Sequence, residues 1–274
     1  MNSSLVPIRK ERGVVFRPSV SAADPATFTL RNRKGWEVLL NQRTASLQAI
    51  WVPDQFGSTT NILSPVVRAE AIPGIVGIPE GIPLTSKVEG IGVVFTGESE
   101  GSGFTVRYEW SDDGALTITS SLDTPGVPWN PLADVSWNLS QRGEGDVALQ
   151  ELQVNSGRYL RDDEGRTTLV SNRLTPLDFR FRRSIGHALP LLAKGHYDHD
   201  TWLVGEHGAR AQAAIMKGPQ SGRNMTLWTN QPVLRVRTLG ETECVTGLQL
   251  IPHSGAVASL VDAESEETVS VPAP

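Results

Sequence analysis

Apolar residues recur at every second position through much of this chain, and that rhythm limits the fold more than any other feature. Phe104, Val106, Tyr108 and Trp110 alternate with polar residues, Ser111-Asp112-Asp113-Gly114 interrupts them, and Leu116 and Ile118 resume the pattern. Only an extended strand places positions two apart on one side, so this stretch is predicted to be a hairpin with one buried face. A second hairpin pairs Phe28-Thr29-Leu30 with Trp36-Glu37-Val38-Leu39 across Asn32-Arg33-Lys34-Gly35. Further strands are expected at Ser46 to Trp51, Ala148 to Val154, Ala209 to Met216, Met225 to Thr229 and Cys244 to Ile251. No long stretch keeps apolar residues at helical spacing, so helices should be few and short. The 26 glycines and 18 prolines are spread along the chain and cut it into short segments. Many short strands separated by turn signals imply an all-β sandwich or barrel.

All-β chains of 274 residues commonly form one domain. No internal repeat and no dividing linker argues otherwise, so residues 1–274 are expected to be a single unit. Residues 1–20 form an N-terminal extension, Ile72 to Pro83 an irregular loop, and residues 264–274, acidic and then Pro-rich, a flexible tail. The net charge of −5 argues against a nucleic-acid binder, which would carry a basic patch or stripe. The densest positive spot, Arg180, Arg182 and Arg183, alternates with Phe179 and Phe181 and is read as the solvated face of a strand. The lone Cys244 rules out an intrachain disulfide and asks for no zinc site. Neither a signal peptide nor a membrane-spanning helix is legible, so the expected location is cytoplasmic. The expected assembly is a monomer or homodimer.

Phosphate-binding and dinucleotide-binding glycine motifs are absent, and no Gly-x-Ser-x-Gly elbow supports Ser-His-Asp chemistry. His196-Tyr197-Asp198-His199-Asp200 is the one metal-like cluster. On a strand, Asp198 and Asp200 share one face with His196, while Tyr197 and His199 point to the other. Three ligands on one strand seldom converge on a single ion, so a polar strand end is preferred to a metal site.

Several segments, taken in order, resemble the aldose 1-epimerase (galactose mutarotase) family. Phe28 to Asn32 and Val52-Pro53-Asp54-Gln55-Phe56-Gly57 resemble its opening strands and Pro-Asp-x-x-Gly turn. Asn130 to Leu139 is similar to the family's Asn-x-Thr-Asn-His-x-Tyr-Phe-Asn-Leu, and Thr175-Pro176-Leu177-Asp178-Phe179-Arg180 to its Thr-Pro-x-Asp-Phe-Arg. Tyr197-Asp198-His199 resembles Gly-Tyr-Asp-His, and Ser221-Gly222-Arg223 with Thr229-Asn230-Gln231-Pro232 resembles Ser-Gly-Arg and Thr-x-x-Pro. Gly247-Leu248-Gln249 falls where the family has Leu-Glu. The resemblance covers residues 28 to 250 and implies a galactose mutarotase-like β-supersandwich, with a small-molecule sugar or sugar-like ligand on a concave sheet face. It implies no cofactor, because the family reaction needs only proton transfers.

The same resemblance exposes losses. No histidine precedes His187, whereas the family places its two active-site histidines in that half of the chain. The histidine that acts as general acid on the ring oxygen corresponds to Asp134, and the glutamate general base corresponds to Gln249. Ring opening needs both groups, since one oxygen loses a proton while the other gains one. A buried carboxyl can donate a proton if its pKa rises, so Asp134 is a candidate acid. Asp198 matches a sugar-binding carboxylate of the family, and it could divide acid and base roles with Asp134. A carboxamide is no base near neutral pH, but Gln249 can hydrogen-bond a hydroxyl. His253, four residues on, could replace the lost base or be a solvated loop histidine. Trp129 is a candidate platform for a pyranose face, and Arg68 stands in the region of a substrate-contacting arginine of the family. Three functions are compatible with these residues: an epimerase with altered acid and base, a non-catalytic carbohydrate binder or regulator, and a lyase or cyclase on a non-standard substrate.

Overall fold

The computed structural model describes residues 19–24, 27–64, 82–99, 101–123, 130, 135–140, 146–163, 166–206, 208–241, 244–253 and 264–270. Among these residues every strand pairing is antiparallel, and the strands form three sheets. The first is a meander of β1 (Ser19–Asp24), β2 (Thr27–Arg31), β3 (Glu37–Asn41), β4 (Leu47–Pro53) and β5 (Thr59–Asn61). The second has nine strands. Its spatial order is β13 (Arg183–Ser184), β10 (Glu151–Val154), β15 (Ala211–Lys217), β16 (Asn224–Thr229), β19 (Glu264–Ser270), β9 (Ala115–Leu122), β8 (Ser102–Trp110), β7 (Gly92–Ser99) and β6 (Thr85–Glu89). The third runs β12 (Arg166–Ser171), β11 (Ser156–Asp163), β14 (Asp198–Leu203), β17 (Val233–Glu241) and β18 (Cys244–His253).

Both expected hairpins are present. β8 and β9 pair with Trp110 opposite Leu116, and β2 and β3 with Phe28 opposite Leu40. The alternation that predicted them is the alternation of burial along β8 and β9. Tyr108 donates its hydroxyl to the Ala45 carbonyl at 2.8 Å, and the Trp110 indole nitrogen donates to the Trp36 carbonyl at 3.1 Å. Phe28 and Phe95 meet edge to face at 5.9 Å. These contacts let two large polar-tipped rings be buried without an unpaired donor, and they lock the first sheet onto the second. Among the described residues the only helical pieces are two 3-10 turns, Val147–Leu149 and Ile185–Leu191.

Four expectations need correction. The strand predicted from Ala148 begins as the 3-10 turn at Val147–Leu149, capped by the Asp146 carboxylate, and only Glu151–Val154 is extended. The basic segment around Arg180 is largely a loop. Arg180 pairs with Asp178, Arg182 pairs with Glu151, and the Arg183 guanidinium lies over the Phe179 ring. The N-terminal extension ends sooner than expected, because Ser19 already pairs with Arg31. The supposed flexible tail contains a strand: Glu264–Ser270 lies between β9 and β16 and is bonded to both. Its polar sequence gave no alternation to read. Its backbone groups are nevertheless paired on two sides, which satisfies obligatory donors and acceptors whatever the side chains are.

The first and third sheets are stitched together by residues between them. Trp137 bridges Leu63 on one side and Leu248 on the other, so the Val135–Leu139 segment extends the third sheet beyond β18. The Trp137 amide donates to the Leu248 carbonyl at 2.8 Å and the Leu248 amide returns the bond at 3.0 Å. On the far flank, Ser64 donates to Ser136 and Asn138 donates to Ile62. Consequently β18 is interior, and its residues Gly247 to His253 are all buried.

Candidate functional site

Register in the third sheet decides which side chains share a face. Asp198 lies opposite Arg237, which lies opposite Gln249. The next row is Asp200, Arg235 and Ile251, and the third is Trp202, Val233 and His253. Directly paired residues point the same way and alternate residues return to the same face. One face of β14, β17 and β18 therefore carries Asp198, Asp200, Arg235, Arg237, Gln249 and His253 together. The other carries His199, Thr201, Leu234, Val236, Leu248 and Leu250, of which all but His199 are fully buried.

The polar groups on the first face form a chain of contacts. Arg235 donates through Nε to Asp198 Oδ1 at 2.8 Å, and its Nη2 lies 2.8 Å from the same oxygen. Its Nη1 is 3.6 Å from Asp200 Oδ1, and His253 Nε2 lies 3.2 Å from that oxygen on the far side. Burial by itself would raise the Asp200 carboxyl. The hydrogen bond and charge of His253, with the charges of Arg235 and His199, hold it below the ordinary carboxylate value. Asp198 and Asp200 each keep a quarter of their side-chain surface open, whereas His253 retains 5%. Gln249 has no exposed surface. A ligand approaching this face thus meets Asp198, Asp200 and Arg235 first, with Gln249 and His253 in the floor.

These positions settle some expectations. His253 is not a solvated loop residue: it closes β18, is buried, and faces Asp200. The predicted sharing of a face by Asp198 and Asp200, with Tyr197 and His199 on the other, follows from β14 being a strand. Asp134, Trp129 and Arg68 lie outside the described residues. Their flanks are partly defined, since the Asn130 side-chain amide donates to the Pro252 carbonyl beside His253 and Ser136 lies alongside β18. No group of three or more His, Cys, Asp or Glu among the described residues is placed to hold a metal ion. Arg235 and Arg237 escaped the sequence reading. Their signal was the alternation Leu234-Arg235-Val236-Arg237-Thr238, which puts two cations on one face of a strand whose other face is buried.

Residues 103–264, more than half of the chain, match the aldose 1-epimerase family. The chain belongs to the aldose 1-epimerase family. The aldose 1-epimerase match includes Asp134, Asp198 and Gln249, the positions that the motif comparison singled out. No curated protein sequence matches the chain. Solved structures similar to this aldose 1-epimerase family member include a GalM/aldose epimerase homologue from C. elegans, with 13% identity and a TM-score of 0.69 over 93% of this chain and 100% of that one. Galactose 1-epimerase from Lactobacillus acidophilus shares 18% identity, with a TM-score of 0.64 over 89% of this chain and 93% of that one. A galactose mutarotase-like protein from Clostridium acetobutylicum shares 9% identity at a TM-score of 0.52, over 89% and 94% of the two chains. At such identities the likeness establishes the shared galactose mutarotase-like fold. No helix among the described residues is long and apolar enough to cross a membrane.

Two of the aldose 1-epimerase motifs prove to be structural. In Ser221-Gly222-Arg223 the arginine is fully buried and donates to four backbone carbonyls, those of Pro53, Ser140, Val52 and Ser58. Gly222 has φ +72, and a Cβ there would stand 2.9 Å from Gln55 Cβ, so glycine is needed on both counts. In Thr175 to Arg180 the Asp178 carboxylate takes two bonds of 2.8 Å from Arg180. Those bonds and the Leu174 and Arg180 amides hold its pKa down to about 2 against the opposing effect of burial. Leu174, which donates that amide, sits at φ +59 and is 99% exposed. Its side chain contributes no packing while its backbone occupies the left-handed region that disfavours Cβ. Leu174→Gly is therefore expected to stabilise the fold by about 0.5–1 kcal/mol, read as a rise in urea midpoint at unchanged slope.

Proposed function

We propose that this protein handles a free or substituted aldose on the Asp198 face of its third sheet, as one single-domain member of its family with altered acid and base groups. The observation that carries this reading is the cross-strand row Asp198, Arg237 and Gln249. Two positions that the family uses on its sugar, 51 residues apart in the chain, come to one face with a cation between them. Asp198, paired with Arg235, is suited to accept hydrogen bonds from vicinal hydroxyls. Gln249 keeps the shape of a glutamate but supplies no base, and it contributes an amide to the floor of the site.

Proton transfer then falls to carboxyl groups. Asp134 takes the place of the acid that protonates the ring oxygen, and Asp198 divides the work with it by receiving the anomeric proton. Trp129 and Arg68 remain candidates for the sugar platform and for a second polar contact. His253 acts from the floor through Asp200. The burial of Gln249 favours a second reading, a carbohydrate-binding protein without turnover, since a neutral, enclosed amide stands where the family base would be.

Anomer exchange followed by NMR on a panel of free aldoses separates the two. Catalysed exchange that falls about a hundredfold or more in Asp134→Asn, the scale of a lost general acid, establishes the epimerase reading. Shift changes on binding without exchange establish the binder. Absence of both with every aldose removes the sugar reading altogether.

A further inference from the structure

At the opposite end of β14 from Asp198 lies a recess of about 590 Å³. Its walls include Gly157, Arg158, Ser171, Arg173, Arg180 and Trp202. Among the described residues three arginines and no acidic side chain line it, in a protein whose net charge is −5. Arg180 is fixed in place by the two bonds to Asp178, which occupy its Nε and Nη2 and leave Nη1 outside that pair. Arg158 and Arg173 are exposed, and among the described residues their guanidinium groups take part in no hydrogen bond or ion pair. Arg158 and Arg173 thus bring two positive charges to one recess beside the Asp178-paired Arg180, an arrangement that favours an anion there. The half-buried Trp202 adds an apolar wall on the same side.

We infer that this recess binds an oxyanion, phosphate or carboxylate, carried by a small molecule whose ring or apolar body rests on Trp202. Its volume is that of a site for a small organic ligand. Guanidinium groups offer planar pairs of donors that match both oxyanions. The recess lies at the far end of the same sheet face: four residues of strand place Trp202 about 13 Å along β14 from Asp198. The inference does not depend on the sugar reading of that face.

Calorimetric titration of the full chain with inorganic phosphate, glucuronate and glucose 6-phosphate at low salt tests it. Saturable binding of at least one anion is expected, weakening as sodium chloride is raised. In the Arg158→Gln, Arg173→Gln double variant that affinity is expected to fall about a hundredfold, roughly tenfold for each guanidinium. Glucose 6-phosphate binding more tightly than inorganic phosphate, with the advantage lost in Trp202→Leu, identifies a sugar-borne phosphate. Glucuronate binding alone identifies a carboxylate. No saturation by any of the three, or equal affinity in the double variant, overturns the proposal. Neutral glucose, titrated into the wild type and Asp198→Asn, reads the Asp198 end of that face separately, so the two readings fail independently.

Discussion

Arg223→Met is expected to cost about 4 kcal/mol of stability, the scale of breaking a buried charged network. The guanidinium joins the end of β4, the turn that follows it and Ser140, through four carbonyls, of which that of Val52 is fully buried and the others partly so. Each orphaned buried acceptor is worth about 1–3 kcal/mol. Relief of the arginine's own desolvation, which lowers its pKa, offsets part of that sum. The urea midpoint should drop sharply with little change in slope. Arg223→Lys should recover less than half of the loss, because one ammonium cannot span four acceptors with the geometry of a planar fork. A midpoint unchanged in Arg223→Met would mean that the carbonyls find other donors and that the motif is not a staple.

The second large effect is in the response to acid. His199 has its Nδ1 buried without a hydrogen-bond partner, and burial lowers its pKa from 6.5 to about 4 despite the opposing charges of Asp200 and Asp198. As pH falls below 6.5 the unfolded chain takes up this proton and the folded chain does not. The unfolded state then binds more protons, so stability falls with pH. The loss is complete near pH 4 and amounts to about 3 kcal/mol. Asp178 behaves separately, since its contribution is present above 3.8 and is lost only as pH falls towards 2. Stability measured by urea unfolding between pH 8 and 4 should therefore decline across that window in the wild type. It should stay nearly flat in His199→Phe. An equal decline in both proteins would place the acid sensitivity elsewhere.

Much of the architecture was written in local patterns. The β8–β9 hairpin was legible because its buried face alternates without exception and a Gly-containing turn marks its end. The third sheet was harder to read. β17 carries Arg235 and Arg237 where a half-buried strand would show ordinary polar residues, and β14 begins with two carboxylates. Neither sequence states that the two strands are neighbours, because the ion pair of Arg235 with Asp198 links residues 37 positions apart. The motif order supplied what periodicity could not, bringing Asp198 and Gln249 into one hypothesis before any pairing was known. What it missed was the guanidinium between them and the burial of Gln249 and His253. Both depend on strands packed from distant parts of the chain. Asp134 was read from motif position alone, and its role stands as a proposal to be tested in solution.

The placement of β19 has a consequence for how the molecule is made. The nine-stranded sheet consists of a block completed at Leu122 and a block completed at Thr229, and the strand that joins them is synthesised after both. On the ribosome each block must wait with one open edge, β9 on one side and β16 on the other, until residues 264–270 emerge. Exposed edges of that kind recruit strands from other chains. Ribosome stalling or proteolysis just before Glu264 would leave both edges as templates for misassembly. Quality control of the nascent protein would thus turn on β19.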